Sequence, residues 1–142
     1  MAAAPAGSPW AIHFFQRSGA DDPAEPIPAM DFFESIPEKV ASEINAILSA
    51  VAAAPPPSFS GGGKWEAMHR EMAGIYEVRV NSRGWNYRLF CLLVRSPKKL
   101  GSPSIVCLDG LTKPARRAAE SRDYERVRQF ADEFQKHERV MQ

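Results

Sequence analysis

The feature that most constrains the fold is a long, nearly continuous apolar run at Trp85–Val94, WNYRLFCLLV. A strand with apolar side chains on both faces must be covered on both, so this run predicts the central strand of a sheet. It follows an alternating, β-branched segment at residues 75–80, IYEVRV, and a turn signal at residues 81–84, NSRG. Together these segments predict a β-hairpin at the centre of the domain.

The elements around the hairpin predict an α+β fold. Residues 10–16 (WAIHFFQ) predict a first strand, and two capping-box patterns at residues 31–34 and 35–38 predict two helix starts. An apolar stripe from residue 40 to residue 51 predicts a helix to about Ala54, residues 104–108 predict another strand, and the spacing after Ser121 predicts a C-terminal helix. We therefore expect an antiparallel β-meander sheet with the helices largely on one side.

The length of 142 residues predicts one domain over residues 10–142, with a disordered tail at 1–9 and a flexible Pro/Gly/Ser loop at 55–63. The start of the chain lacks the basic and apolar regions of a secretory signal, so we expect a cytoplasmic protein. Cys91 and Cys107 lie in apolar runs without a C-x-x-C motif. We expect them to be reduced and buried rather than joined in a disulfide or bound to metal, and we expect no cofactor.

The two halves of the chain differ in charge. Residues 1–63 carry two basic and seven acidic side chains, whereas residues 64–142 carry sixteen basic and ten acidic side chains. Such blocks suggest that the second half meets an anionic partner. The alternative is that the two halves neutralise each other across the fold.

The hairpin also predicts how its charges are distributed. A turn centred on residues 82–83 would pair Glu77 with Arg88 and Arg79 with Asn86, and would place these four polar side chains on one face. The other face would be apolar and would include Trp85 and Tyr87. We expect both of these aromatic side chains to pack in the core rather than to stack on a nucleic-acid base.

Arg79 and Arg88 would then be diagonal neighbours roughly 7–8 Å apart, a spacing at which two guanidiniums can bind one phosphate or adjacent phosphates. The alternative is an ordinary ion pair between Glu77 and Arg88, with Arg79 in solvent. Further candidates for contact with an anionic substrate lie near the predicted strand ends. They are Lys64, Arg70, Arg83, Arg116 and Arg117.

Five segments carry a resemblance to a known family. In order, they are WAIHFF, DFFESIPEKVASEINAILSAV, GIYEVRV, WNYRLFCLL and SIVCLDGLTK, and with the terminal helix they span about residues 10–136. Their order and spacing resemble the RelE/ParE superfamily of type II toxin–antitoxin toxins, nearest the HigB-like and phage-derived branch. The resemblance implies a RelE-like fold, with a central antiparallel sheet, N-terminal helices and a C-terminal helix.

The resemblance also implies a function. Many such toxins are metal-independent endoribonucleases that cleave ribosome-bound messenger RNA and inhibit translation, whereas the ParE type inhibits DNA gyrase. RNA cleavage by a 2′-hydroxyl needs a proton acceptor, a proton donor and positive charge on the phosphate. By motif position the candidate catalytic residues are Arg79, Arg88 and Lys113. His69 is a fourth candidate because a histidine can shuttle a proton near neutrality, although a lone surface histidine is more often incidental.

Three hypotheses remain open at the level of sequence. The basic residues favour an endoribonuclease toxin, and the scarcity of acid–base groups favours a gyrase inhibitor. The stretch after Lys113 lacks the Thr-Pro that nuclease relatives often carry, which favours a non-catalytic relative that only binds an antitoxin. All three imply a cognate antitoxin as partner, a small helical protein, often with a helix-turn-helix, from an adjacent gene.

Overall fold

A five-stranded mixed sheet forms the centre of the molecule in a computed structural model that describes residues 4–55, 62–119 and 121–142. Residues 1–3 of the predicted tail and 56–61 of the predicted loop lie outside the described residues. The strands are β1 (Ala11–Phe14), β2 (Trp65–Ala67), β3 (Ile75–Ser82), β4 (Trp85–Val94) and β5 (Ser104–Pro114), in the spatial order β1-β5-β4-β3-β2. The helices are α1 (Pro28–Ser35), α2 (Glu38–Ala53) and α3 (Ser121–His137).

The expectation of an antiparallel sheet is wrong at one edge. β2, β3, β4 and β5 are antiparallel neighbours, but β1 pairs with β5 in parallel, with Ala11 opposite Ser104 and Phe14 opposite Cys107. A parallel pair needs a long crossover connection, and the chain between β1 and β5 supplies it through α1, α2 and the hairpin. The fold is therefore α+β with a mixed open sheet.

Helices cover both faces of this sheet, so the expectation that they lie largely on one side is also wrong. The physical reason is that β4 is apolar on both faces, and each face needs a cover. α1 and α2 pack on one face, where Ile44, Leu48 and Leu89 are fully buried. α3 packs on the other face through an apolar stripe that includes Val127, Phe130 and Phe134.

The β3–β4 turn lies one residue later than predicted. Arg83 and Gly84 form a two-residue turn with φ angles of 51° and 81°. Such a turn needs positive φ at both central residues, and Gly84 adopts it without a steric penalty. The pairing therefore shifts by two residues, so that Arg79 lies opposite Arg88 and Glu77 opposite Phe90. A shift of two keeps every side chain on its predicted face.

Burial agrees with the sequence for the cysteines but not for one aromatic residue. Cys91 and Cys107 are buried, unbridged and directly opposite each other on β4 and β5. Tyr87 is buried as expected, whereas Trp85 is 45% exposed, so the expected core position of Trp85 is wrong. Trp85 is the first residue of β4, at the end of the sheet beyond its helical cover. Within the described ranges, no helix is long and apolar enough to cross a membrane.

Candidate nucleic-acid interface

The face of the sheet under α3 is apolar at one end and polar at the other. The first turn of α3 places the ring of Tyr124 edge-on to Phe90, with ring centroids 6.1 Å apart, and the rest of the helix covers the apolar part of the face. From Phe90 toward the β3–β4 turn, the positions of β3 and β4 on this face are polar or charged, and β5 contributes Lys113 beyond the apolar Leu111. We call this set the polar patch: Glu77, Arg79, Asn81, Asn86, Arg88 and Lys113.

The register arranges the polar patch in rows across adjacent strands. One row joins Lys64, Arg79 and Arg88, because the backbone N–H of Arg79 donates to the Lys64 carbonyl at 2.9 Å and Arg79 lies opposite Arg88. The next row toward the turn places Asn86 between Asn81 and Lys113. Like charges directly opposite each other on antiparallel strands are destabilising, so the pairing of two arginines is locally unfavourable.

Arg88 is the most buried cation of the polar patch and is only 6% exposed. Its Nη1 donates to Asn81 Oδ1 at 2.8 Å and to the Tyr87 carbonyl at 2.9 Å, both of which are uncharged oxygens. Burial lowers the pKa of Arg88 and nearby Arg79 lowers it further, while the Glu77 carboxylate opposes the change. A guanidinium stays protonated despite such shifts, so Arg88 is a fixed positive charge with a defined orientation.

Glu77 is the acid–base group of the polar patch. Its Oε1 lies 3.4 Å from Arg79 Nε, and its side chain is 15% exposed against 43% for Arg79. Burial raises the pKa of Glu77 above its ordinary value, although the cations Arg88, Arg79 and Lys113 pull it down. A carboxyl group whose pKa lies closer to neutrality is better suited to proton transfer. In place of the alternative that the sequence left open, an ion pair between Glu77 and Arg88, Glu77 contacts Arg79 on the same strand.

Tyr124 adds a hydroxyl group at the boundary between α3 and the polar patch. Burial raises the pKa of Tyr124, and the Glu77 carboxylate raises it further while Arg88 opposes the change. The phenol is therefore protonated at neutral pH and can donate a hydrogen bond or a proton. Sequence reasoning missed this role because Tyr124 belongs to the apolar stripe of α3. Asn81 was missed as well, although its two-residue spacing from Arg79 already placed it on the same face.

Lys113 reaches the polar patch because β5 is longer than predicted. The strand runs to Pro114 rather than ending at residue 108, past an irregularity in its pairing with Phe90 and Cys91. Lys113 Nζ donates to the Arg117 carbonyl at 2.7 Å, and the Ala115 N–H donates to the Gly84 carbonyl at 2.9 Å. These bonds join the segment after β5 to the β3–β4 turn. Exposed cations therefore flank the polar patch at this end, namely Lys64, Arg83, Arg116 and Arg117.

Two predicted site residues lie elsewhere. His69 and Arg70 are exposed in the connection between β2 and β3, next to the start of β3, where the Met68 N–H donates to the Ile75 carbonyl. Ile75 is four residues from Arg79, or about 13 Å along a strand. The structure therefore brings Arg79, Arg88 and Lys113 together, and leaves His69 and Arg70 at the opposite end of the sheet.

Comparisons of this chain with protein-family models, with curated proteins and with solved structures found no match. In the described part of the chain, no group of three or more His, Cys, Asp or Glu side chains is placed to hold a metal ion.

Proposed function

We propose that this chain is the toxin of a type II toxin–antitoxin system, a metal-independent endoribonuclease that binds messenger RNA at the polar patch and inhibits translation. One observation carries the proposal: Arg79, Arg88 and Lys113, from three adjacent strands, lie on one face around the mostly buried carboxyl of Glu77. The resemblance to RelE/ParE toxins supports the same conclusion, because its motif positions coincide with these three cations. It also supports a cognate antitoxin that blocks this face.

The arrangement suits a phosphodiester better than a neutral ligand. Arginine presents a planar fork of donors that matches phosphate oxygens, and lysine supplies a point charge. Arg88 is held by Asn81, so its charge is fixed before any substrate arrives. Fixed charge at the position where negative charge develops is the usual source of transition-state stabilisation.

The chemistry that fits these groups is attack by the RNA's own 2′-hydroxyl. Glu77 as carboxylate takes the 2′-hydroxyl proton, the 2′-oxygen forms a bond to the adjacent phosphorus, and the bond from phosphorus to the 5′-oxygen breaks. Tyr124 donates a proton to the departing 5′-oxygen, which leaves a 2′,3′-cyclic phosphate and a 5′-hydroxyl. Arg79, Arg88 and Lys113 stabilise the extra negative charge on the phosphate.

The decisive experiment measures cleavage of free and ribosome-bound messenger RNA in the presence of EDTA, with mapping of the product ends. We expect cyclic-phosphate ends from the wild type, and no cleavage where a 2′-deoxynucleotide replaces the attacking residue. Loss of one charged donor to a transition state typically reduces rates about 100-fold, and we expect this for Arg88→Ala. Because Arg88 is buried, Arg79→Ala is the second variant, with an expected loss of about 10-fold and an unchanged melting temperature.

Lys136→Ala is the matched control, since Lys136 is an exposed cation at the far end of α3. Full activity in both arginine variants would contradict the proposal. Inhibition of gyrase supercoiling without RNA cleavage would replace it with the ParE-type function. Overexpression that is harmless in the absence of any antitoxin, with neither activity detected, would replace it with a non-catalytic binding role.

A further inference from the structure

The tryptophan at the end of the sheet is exposed, and packing of the core does not account for its position. Trp85 is 45% exposed, whereas Trp10 and Trp65 are 7% and 4% exposed. In the described residues, Trp85 is the large hydrophobic side chain that stands out into solvent. It lies on the face of the sheet opposite the polar patch, paired with Ser82 and Pro114, at the end where the two faces meet.

Three arginines lie in the chain segments next to this tryptophan. Arg83 precedes it in the turn and is exposed, in a left-handed conformation that arginine rarely adopts. Arg116 and Arg117 follow Pro114, and their segment is held against the turn by the Ala115–Gly84 hydrogen bond. We call Arg83, Trp85, Arg116 and Arg117 the tip. The chain segments that form it, residues 81–88 and 110–119, contain no acidic residue.

We propose that the tip is a stacking platform for a base of single-stranded RNA, adjacent to the nucleotide whose phosphate is bound at the polar patch. This inference rests on the proposed function. Proteins that bind single strands combine exposed aromatic rings, on which bases stack, with cations that follow the backbone. Both features are present within one exposed end of the sheet. Trp85 is three residues from Arg88 on β4, about 10 Å along the strand, so one continuous RNA strand can reach both.

The charge around Trp85 favours RNA over a protein partner as the occupant. An exposed aromatic residue alone is compatible with either class, because tryptophan is also common at protein interfaces. Three arginines without a carboxylate in the same segments are complementary to a phosphate backbone. The seven acidic residues of the first half lie in the connection between β1 and α1 (three), in α1 (two) and in α2 (two), so none belongs to the chain segments that form the tip.

Tryptophan fluorescence tests this inference directly, because Trp85 is the solvent-accessible fluorophore and the other two tryptophans are buried. The probes are a 2′-O-methyl oligoribonucleotide, which lacks the attacking hydroxyl, and an abasic oligomer of the same length. We expect the base-containing oligomer to quench the fluorescence and the abasic oligomer to bind without quenching. Stacking on an aromatic residue corresponds to about a 5- to 150-fold change in affinity, which we expect to be lost in Trp85→Ala.

Trp85→Phe keeps an aromatic ring and should retain most of the affinity, while Lys136→Ala should bind as the wild type does. Unchanged binding by Trp85→Ala, or equal quenching by the abasic oligomer, overturns the stacking platform and assigns Trp85 to a protein contact. In that case, binding that still depends on Arg79 leaves the proposed function standing. Absence of binding to either oligomer by the wild type overturns both.

Discussion

The two faces of β3 and β4 are formed by alternate residues of the same two strands, yet they differ in polarity. Toward α1 and α2 the side chains are apolar along almost the whole strand length, and Val78, Leu89 and Cys91 are fully buried. Toward α3, β3 and β4 are apolar only as far as Phe90, next to the first turn of the helix, and are polar or charged beyond it. The difference shows that one hairpin can hold the fold together with one face and keep charged groups at the surface with part of the other.

The charged part of the second face is also less favourable for stability. Arg79 lies directly opposite Arg88, and both Arg88 and Glu77 are removed from much of the solvent that would stabilise their charges. On the apolar face, in contrast, the described side chains of β3 and β4 include no charged group. Local arrangements that work against folding tend to occur at functional sites, which supports the assignment of the binding role to the polar patch.

The largest expected contrast between the two faces is in the effect of side-chain truncation. Leu89→Ala removes a fully buried side chain under α1 and α2 and should lower the free energy of unfolding by about 2–5 kcal/mol. Lys113→Ala truncates a side chain of the polar patch on β5. It should change the free energy of unfolding by less than about 0.5 kcal/mol. Urea denaturation of both variants measures the difference. Comparable losses would show that the polar patch is also a structural element.

The sequence was sufficient to predict what depends on local pattern. The bounds of β4 follow from its continuous apolar run, and the face on which Arg79 and Arg88 lie follows from a period of two. The pairing of Arg79 with Arg88 did not follow, because it depends on which two residues adopt positive φ in the turn. A shift of one position in the turn changes every partner without changing any face.

Other features depend on contacts between distant segments and were beyond the sequence. The parallel pairing of β1 with β5 joins Ala11 to Ser104, which are far apart in the chain, so no local sequence pattern specifies it. The exposure of Trp85 depends on where the helical cover ends, and the largely apolar run that begins at Trp85 does not reveal it. Likewise, His69 is close to the hairpin in sequence but lies beyond the opposite end of β3 in the fold.

A smaller effect should distinguish the polar patch by its dependence on pH. Burial raises the pKa of Glu77 in the folded state above its ordinary value of 4.5, so the folded protein holds this proton more tightly than the unfolded chain does. Ionisation of Glu77 then lowers stability as the pH rises through the folded pKa. Glu77→Gln removes this loss. The stability of the variant relative to the wild type should therefore rise from about pH 4 upward and level off above the folded pKa of Glu77.

Chemical denaturation across this pH range provides the measurement, with Glu34→Gln as control because Glu34 is an exposed carboxylate on α1, which packs on the opposite face of the sheet. A stability difference that falls with rising pH would mean that the surrounding cations outweigh burial. The polar patch would then stabilise the fold, and the contrast between the two faces would be weaker than proposed.

The smallest expected effect lies at the tip, where the two faces meet. Arg83 has a φ of 51°, a conformation that asparagine tolerates better, so Arg83→Asn should stabilise the protein by about 0.5–1 kcal/mol. The same change removes a cation and should weaken RNA binding. Thermal denaturation and an RNA titration would show the two properties moving in opposite directions. Lower stability with unchanged affinity would mean that arginine is present at this position for the fold rather than for the ligand.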